Sequence, residues 1–316
     1  MGIPQLNRYI IGNCKRGVYD IDFSDVSGKV IAIDILIYLY KFASEDLLME
    51  NLYMMISLFR YYNITPIFVF DGKPPAEKSE LLQQRADEKL VAEQEYEILK
   101  QKLETSSLTS ENNRIQNKMK ILRKKSVKIN RYTIALVKEF IEAYGMVHYT
   151  AEGEADPFCA QLVKKNYAWA CLSEDMDQFV YGTPRILRYL NLSTETMCVY
   201  NLKKILCELK IPYEDFKDIC ILSGTDYNLS NTTNLYKSLR LYTRFIRSKK
   251  PITFYEWLTH NTNYIDDINL LQHTKHIFDT TISLANIQKK NIKTHTPKWD
   301  RIKQIMKPYG YIILHR

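Results

Sequence analysis

The sequence predicts an α/β fold in which a mainly parallel central sheet is flanked by helices. Three short apolar runs are rich in β-branched and aromatic residues and lack in/out alternation, as is typical of strands covered on both faces. They span residues 29–33, 66–70 and 167–172. Helical patterns lie between the runs, which favours a doubly wound layout.

Composition excludes several classes of protein. The chain has 316 residues, of which 46% are hydrophobic and 25% charged, so it can bury a substantial core. Its longest apolar stretch, residues 30–40, is too short to cross a bilayer, and the amino terminus carries neither a secretion leader nor a myristoylation pattern. None of the six cysteines forms a C-x-x-C pair. We therefore expect a monomer with buried free thiols, without membrane association, in a reducing intracellular compartment.

Each of the three predicted strands ends at acidic residues. The first stops at Asp34, the second at Asp71, and the third runs into residues 173–177, which contain Asp175 and Asp177. Ligands of open α/β sheets bind in the crevice outside the carboxyl ends of the strands. The sequence therefore gathers carboxylates where a binding crevice is expected.

Further acids occur in two other apolar contexts. Glu152, Glu154 and Asp156 precede a helical pattern, and Asp226 follows the apolar segment 219–222 and a short Ser-Gly-Thr turn. Acids at a helix start often only complement the helix dipole, which explains one or two of them but not the whole set. So many like charges destabilise a fold unless cations neutralise them, and oxygen-only ligands favour Mg²⁺ or Mn²⁺.

A segment without glycine or proline, residues 76–144, is dense in strong helix formers and is predicted to form long helices. One interpretation is a solvated helical hairpin. The alternative is a basic surface that contacts phosphates, because the cations of residues 118–131 occur with no acid among them. They are Lys118, Lys120, Arg123, Lys124, Lys125, Lys128 and Arg131. The net charge of +8 favours a polyanionic partner, with nucleic acid the leading candidate.

Six short motifs occur in one order along the first three quarters of the chain. They are residues 1–6 (MGIPQL), 32–34 (AID, with Tyr38 and Tyr40 following), 70–75 (FDGKPP), 152–155 (EGEA), 174–177 (EDMD) and 224–227 (GTDY). In this ordered set the chain resembles the flap endonuclease branch of the XPG-type structure-specific 5′ nucleases. The resemblance implies a PIN-like 5′-nuclease fold. It further implies one nuclease domain over residues 1–316, a helical arch or cap insertion at 76–131, and a helical, duplex-binding part at 227–316.

The resemblance also implies two-metal phosphodiester hydrolysis at 5′ flaps and single-strand/duplex junctions of DNA, with some 5′-3′ exonuclease activity, in replication, repair or recombination. The implied cofactor is a pair of Mg²⁺ ions, with Mn²⁺ as a possible substitute. By resemblance, Asp34, Asp71, Glu152 and Glu154 serve one ion, and Asp175, Asp177 and Asp226 serve the other. Lys78 and Arg85 match positions that contact the scissile phosphate. Their spacing places them on one helix face, where the alternative interpretation is ordinary surface charge.

The expected DNA contacts come from several segments of the chain. Tyr40 matches an aromatic that stacks on a base, although a core tyrosine is the alternative. The other expected contacts are Gly2, Lys124, Lys125, Lys128, Arg131 and Lys237. Contacts to phosphates would make DNA binding salt-dependent and independent of base sequence.

Two features depart from the family pattern. Residues 230–237 contain no glycine where the family has a glycine-rich hairpin that grips duplex DNA, so we do not carry over a bound monovalent ion. Gln304 precedes a segment that breaks the sliding-clamp motif at its aliphatic position, and clamp binding is not predicted.

Two rival functions remain open from sequence. One is a related 5′-3′ exonuclease with little flap preference, and the other is a catalytically silent DNA-binding scaffold of the same fold. The nucleus or a viral DNA replication site is the expected location if the source is eukaryotic or viral.

Overall fold

The computed structural model describes residues 2–105, 109–228, 234–285 and 287–310. Seven strands form one sheet in the order β1-β7-β6-β5-β2-β3-β4. Their bounds are β1 Val18–Asp22, β2 Val30–Asp34, β3 Thr65–Phe70, β4 Val147–Thr150, β5 Ala170–Leu172, β6 Arg185–Asn191 and β7 Thr196–Asn201.

The helices occur before, between and after the strands. They are α1 Leu6–Asn13, α2 Ile35–Ser44, α3 Leu48–Tyr61, α4 Ser79–Thr105, α5 Thr109–Ser126, α6 Arg131–Ala143, α7 Ala155–Lys164, α8 Asp177–Val180, α9 Leu202–Leu209, α10 Tyr213–Leu222, α11 Leu235–Ser248, α12 Phe254–Asn261, α13 Ile268–Asp279 and α14 Trp299–Met306.

The centre of the sheet is parallel, as predicted. Strand β2 pairs in parallel with β3 and with β5, and β5 pairs in parallel with β6. The third predicted strand is shorter than expected, because the amide groups of Tyr167 and Ala168 bond to the carbonyl of Leu162 at the end of α7. Those residues finish the helix, and only Ala170–Leu172 enters the sheet.

One edge of the sheet is antiparallel, which the sequence did not predict. Strands β6 and β7 form a hairpin, and β1 adds to β7 in antiparallel register. Strand β1 is mostly exposed, so it lacks the continuous apolar run that marked the central strands. In β6 the continuous buried run ends after Arg188, at a register shift that extends to Asn191, and Tyr189 is exposed.

The chain divides into two compact units. The first comprises Met1–Asp34, Leu58–Lys73 and Tyr149–Lys293, and the second comprises Ile35–Ser57, Pro74–His148 and Thr294–Arg316.

Buried side chains among the described residues of the first unit form two hydrophobic clusters. One joins α1, α8 and α10–α13, with Leu6, Phe179, Phe216, Phe254 and Trp257 among its members. The other packs α7 against β2, β3 and β5 and includes Ala32, Ile67, Phe158, Leu162 and Cys171. The second cluster fixes α7, and therefore the loop that precedes it, to the central strands.

The second unit is built on long helices, as the segment without glycine or proline predicts. Helices α4 and α5 have 27 and 18 residues. Helix α6 packs against α14, where the rings of Tyr144 and Trp299 meet edge to face at 5.8 Å. Gly145 follows α6 with φ +72°, and its carbonyl accepts a hydrogen bond from the amide of His295.

All six cysteines lie in the described part and are free thiols; five are buried as expected, but Cys207 is exposed. Within the described ranges, no helix combines the length and apolar character that a bilayer span requires.

Candidate active site

Asp34 is a deeply buried member of the predicted carboxylates at the strand ends. It is the last residue of β2 and is 4% exposed, and its Oδ2 accepts a 3.3 Å hydrogen bond from Ser173 Oγ. Burial raises the pKa of Asp34 well above its ordinary value, and the nearby carboxylates of Asp156, Asp71 and Asp175 raise it further, against a lowering effect of Ser173. Several carboxylates of the first unit therefore share one electrostatic environment.

Asp71 is held by the loop that carries Glu152 and Glu154. Its Oδ1 accepts a 2.6 Å hydrogen bond from the amide of Ala155, the first residue of α7. The two loops also pair through their backbones, since the amide of Gly72 donates to the carbonyl of Gly153 at 2.7 Å. These bonds extend the pairing beyond the sheet and bring the predicted ligands after β3 next to those after β4.

Glu154 is tied to the segment that carries Asp226. The hydroxyl of Tyr227 donates to Glu154 Oε2 at 2.5 Å and lies 3.1 Å from the hydroxyl of Tyr181. The Phe278 ring packs against both tyrosine rings, with centroids 4.7 and 5.3 Å away. This buried aromatic cluster therefore holds the predicted ligand Glu154 beside Tyr227, which directly follows the predicted ligand Asp226.

Asp175 and Asp177 lie in a tight turn, residues 174–177, which we call the acid turn. The amide of Asp177 donates to Asp175 Oδ1 at 2.9 Å, and both residues are buried, at 6% and 2% exposure. Gly2 lies directly against them, because a Cβ added at Gly2 would be 2.4 Å from Asp175 Oδ1 and 2.7 Å from Asp177 Oδ1. Only a residue without a side chain fits there.

The donor set suits a hard cation, although the carboxylates do not enclose one. Among the described residues, no three acidic, histidine or cysteine side chains converge closely enough to hold an ion. The donors are nevertheless all oxygens, and the like charges that raise the pKa of Asp34 are those that a cation would neutralise. Mg²⁺ typically retains several waters and binds through one or two carboxylates, which matches a spread group of acids.

Asp156 is a member of this group that was not among the predicted ligands. Among the carboxylates it has the largest effect on the pKa of Asp34, and its side chain accepts a 2.9 Å hydrogen bond from Gln178 Nε2. Its place in the first turn of α7 made it resemble a dipole-complementing acid. The sequence signal that could have identified Asp156 as a ligand is its position two residues after the predicted ligand Glu154.

Lys78 and Arg85 belong to the second unit. The prediction that Lys78 and Arg85 share one helix face is wrong. Lys78 ends a 3-10 turn, Ala76–Lys78, before α4 begins. The extended backbone of Pro75 and a 3.2 Å bond from the Lys78 amide to the Pro75 carbonyl produce this tight turn. Lys78 is only 7% exposed, which contradicts the surface-charge interpretation for this residue, and Arg85 is half-buried.

Tyr40 also belongs to the second unit, and it is not a core tyrosine. Its side chain is 38% exposed, and the ammonium of Lys89 on α4 lies 4.6 Å from the centre of its ring. Base stacking requires an exposed ring, so stacking by Tyr40 stays a prediction.

The basic stretch of residues 118–131, which begins in α5, has a less one-sided charge distribution than its sequence indicates. Three of its cations pair with acids from other segments of the second unit, at 3.4, 2.7 and 2.5 Å. They are Lys118 with Glu95, Arg123 with Asp46, and Lys128 with Glu93. Lys124, Lys125 and Arg131 are exposed. Some of these charges therefore join segments of the second unit, while others face solvent, where contact with phosphates stays a prediction.

Lys237 lies in the first turn of α11 in the first unit. It is exposed, and its ammonium is 4.5 Å from the centre of the Tyr264 ring. Of the glycine-poor segment before it, residues 230–233 lie outside the described residues, while Asn234 caps α11 by accepting from the Lys237 amide. Gln304 of the discounted clamp motif lies within α14, and the motif's last tyrosine, Tyr311, is outside the described residues.

Comparisons with known proteins place the chain in a family. The XPG N-terminal domain matches residues 1–92, and the XPG I-region matches residues 145–226. Flap endonuclease 1 of Encephalitozoon cuniculi is 30% identical over 245 residues, which cover 72% of this chain and 68% of the relative. The chain belongs to the XPG family of nucleases. Flap endonuclease 1 of Methanococcus aeolicus is 27% identical over 303 residues, covering 91% of the XPG-family chain and 86% of the relative.

Solved structures show that this XPG-family chain has the 5′-nuclease fold. The catalytic core of Rad2 in complex with DNA substrate matches with a TM-score of 0.68 at 19% identity, covering 98% of this chain and 96% of that one. Flap endonuclease-1 from Methanococcus jannaschii matches with a TM-score of 0.63 at 22% identity, covering 92% and 90%. The predicted fold class is confirmed.

Proposed function

We propose that this protein is a divalent-metal-dependent, structure-specific nuclease that hydrolyses phosphodiesters at 5′ flaps and single-strand/duplex junctions of DNA. Its family membership makes it a 5′ nuclease acting in DNA processing. The observation that carries the proposal is the group of carboxylates at the ends of β2, β3 and β5, where burial and then the neighbouring carboxylates raise the pKa of Asp34. Such a group suits cations that bind phosphate oxygens.

The proposed cofactor is Mg²⁺, bound as two ions, with Mn²⁺ as a substitute. Asp34, Asp71, Glu152 and Glu154 would hold one ion, and a second set would hold the other. That second set is Asp175, Asp177 and Asp226. When bound, the pair supplies an activated water and neutralises charge on the phosphoryl group and the leaving oxygen.

The protein's own side chains orient these carboxylates and complement the substrate. Ser173 holds Asp34, the Ala155 amide holds Asp71, and Tyr227 holds Glu154. Lys78 and Arg85 are the proposed cations for the charge that develops on the scissile phosphate. The burial of Lys78 supports a specific role for this cation, because a lysine that only aids solubility is exposed.

The proposed substrate is branched or flapped DNA. Helices α4 and α5 would form the arch or cap over a single strand, with Tyr40 stacking on a base and exposed cations contacting phosphates. Gly2, Lys124, Lys125, Lys128, Arg131 and Lys237 are the other proposed DNA contacts. We further propose a monomer without a sliding-clamp partner in a reducing compartment, where its free thiols persist.

A junction-cleavage assay tests this function. Labelled 5′-flap, nicked and blunt duplexes of one sequence are compared in Mg²⁺ and in excess chelator. We expect faster cleavage of the flap and no cleavage with chelator. Equal rates on flap and blunt duplex would instead favour the related 5′-3′ exonuclease, and no cleavage of any substrate would favour the silent scaffold.

The metal-ligand assignment predicts a specific loss in Asp177→Ala. Removal of this buried carboxylate should lower the cleavage rate by about two to three orders of magnitude, because charge stabilisation is lost. DNA affinity should stay within about twofold, since phosphate contacts dominate it. Single-turnover rates and fluorescence anisotropy measure the two effects. Asp300→Ala, at an exposed acid in α14, is the control, and unaltered cleavage by Asp177→Ala would remove the assignment.

A further inference from the structure

Arg188 is a buried cation that none of the predicted roles uses. It lies on β6, next to the register shift in the hairpin, and is 6% exposed. Burying a guanidinium is costly unless its donors are satisfied by well-placed acceptors. The acceptors that surround Arg188 therefore indicate what this charge does.

The guanidinium joins α1 to the acid turn. Its Nη1 donates to Asn7 Oδ1 at 2.6 Å and contacts the sulfur of Met176 at 2.9 Å. Its Nη2 donates to the backbone carbonyl of Glu174 at 3.0 Å, and its Nε lies 3.5 Å from Glu174 Oε2. Two of these partners, Glu174 and Met176, alternate with Asp175 and Asp177 along the acid turn.

Two tyrosines, Tyr189 and Tyr200, also hold Glu174 and Asn7. The amide of Tyr189, a residue with a left-handed φ of +57°, donates to Glu174 Oε1 at 2.6 Å. The hydroxyl of Tyr200 donates to Asn7 Oδ1 at 2.8 Å, and the guanidinium stacks over both tyrosine rings at 5.1 and 5.4 Å. A tyrosine held in the left-handed region costs free energy, so the surrounding contacts must compensate for it.

The position of the acid turn decides where two buried carboxylates lie. Asp175 and Asp177 point to the segment that precedes α1, where Gly2 lies within contact distance of both. Since Arg188 holds Asn7 on α1 as well as the acid turn, it fixes both sides of this contact. A shift of the acid turn would move the two carboxylates relative to Asp34, and a shift of α1 would remove the contact that packs against them.

We propose that Arg188 is a positioning residue that holds the acid turn and helix α1 in one arrangement and thereby sets the affinity of Asp175 and Asp177 for a divalent cation. The inference rests on the proposed function for the identity of these ligands. Arginine suits this role because its planar fork reaches three acceptors at once, whereas a lysine ammonium is a compact point charge that cannot span them.

The test compares Arg188→Lys with Arg185→Lys in the full-length protein. Arg185 is a matched control on the same strand, where its Nε donates to the Trp169 carbonyl at 2.7 Å and its guanidinium stacks on the Trp169 ring at 5.1 Å. Mn²⁺ binding without DNA is measured by titration calorimetry. The Mg²⁺ concentration for half-maximal flap cleavage and the DNA affinity in Ca²⁺ are measured in parallel.

We expect Arg188→Lys to weaken Mn²⁺ binding and to raise the half-maximal Mg²⁺ concentration by roughly ten- to a hundredfold, as for other residues that orient metal ligands. Saturating Mg²⁺ should restore much of the cleavage rate, and DNA affinity should stay unchanged. Arg185→Lys should leave every value unchanged. A role in general stability alone would lower the melting temperature without this shift in metal dependence.

A second variant covers the case in which Arg188→Lys does not fold. Asn7→Ala removes the acceptor on α1 while keeping the guanidinium and the acid turn, and it should weaken Mn²⁺ binding in the same direction by a smaller factor. Wild-type Mn²⁺ affinity in the folded variants, or an equal shift in Arg185→Lys, overturns the inference. A wild-type protein that binds Mn²⁺ but cuts no flap would refute the proposed function and leave the positioning role supported by calorimetry.

Discussion

Gly72 lies between two loop backbones that carry predicted metal ligands. A Cβ added at this position would lie 2.0 Å from the carbonyl oxygen of Ala151 and 2.6 Å from that of Glu152. No flexible side chain is available to move aside, because both contacts are to backbone. The close pairing of the loops after β3 and β4 therefore depends on a glycine.

Gly72→Ala is predicted to destabilise the protein by about 1–3 kcal/mol, as overpacking of a rigid site does. Urea unfolding measures the change. Gly12→Ala is the matched control, since Gly12 is in α1 and a Cβ there meets no atom within 4 Å. The control should be more stable by about 0.5–1 kcal/mol because alanine favours a helix. A Gly72 variant as stable as wild type would show that the loops separate without cost.

At the scale of elements, a carboxylate joins α9 to the segment before β1. Glu208 accepts hydrogen bonds from the amide of Gly17 at 2.7 Å and from the amide of Arg16 at 3.1 Å. The Arg16 amide is the main cause of a lowered pKa at Glu208, followed in the same direction by the Gly17 amide and the Arg16 charge, while burial opposes them. The ionised form is therefore favoured in the folded protein.

Glu208→Gln is predicted to lower the melting temperature at neutral pH. A carboxyl group whose folded pKa lies below its unfolded value contributes stability above about pH 4.5, and this is lost as the pH falls through the folded pKa. The difference between variant and wild type should therefore shrink toward acid pH in melting curves recorded from pH 7 to 3.5. Arg16→Ala keeps both amide donors and should retain most of the pH dependence. A constant difference across this range would contradict the assignment.

The long helices show how elements can be predicted while their surfaces are not. Local composition predicted α4, α5 and α6, since propensity accumulates over many residues. The ion pairs that residues 118–128 form with α4 and with the segment after α2 depend on residues distant in sequence. The uninterrupted run of cations therefore overstated the basic surface.

At the scale of the whole molecule, the net charge of +8 favours association with DNA. We predict that DNA affinity falls more than about tenfold between 50 and 200 mM salt, because each phosphate contact releases counterions. Fluorescence anisotropy in Ca²⁺ measures it on two flap substrates of the same shape but scrambled sequence. The two affinities should agree at every salt concentration, since phosphate contacts carry no base information. A salt-independent affinity, or a consistent preference for one sequence, would contradict this prediction.

The sequence by itself determined the central parallel strands, the long helices and the acids that follow the strands. These features are local: an apolar run, a segment without helix breakers, and a carboxylate at a strand end can all be recognised within a few residues. The ordered motifs then indicated the family, which the comparisons confirmed.

Only the tertiary structure decided which side chains support those acids. Arg188 reaches Asn7 and Glu174, Tyr227 reaches Glu154, and Gly72 admits the backbone of Ala151, although these partners are far apart in the chain. The antiparallel edge likewise depends on pairing between strands. Residue type and spacing encode the acids, but the position of each acid is set by buried contacts that exist only once the chain has folded.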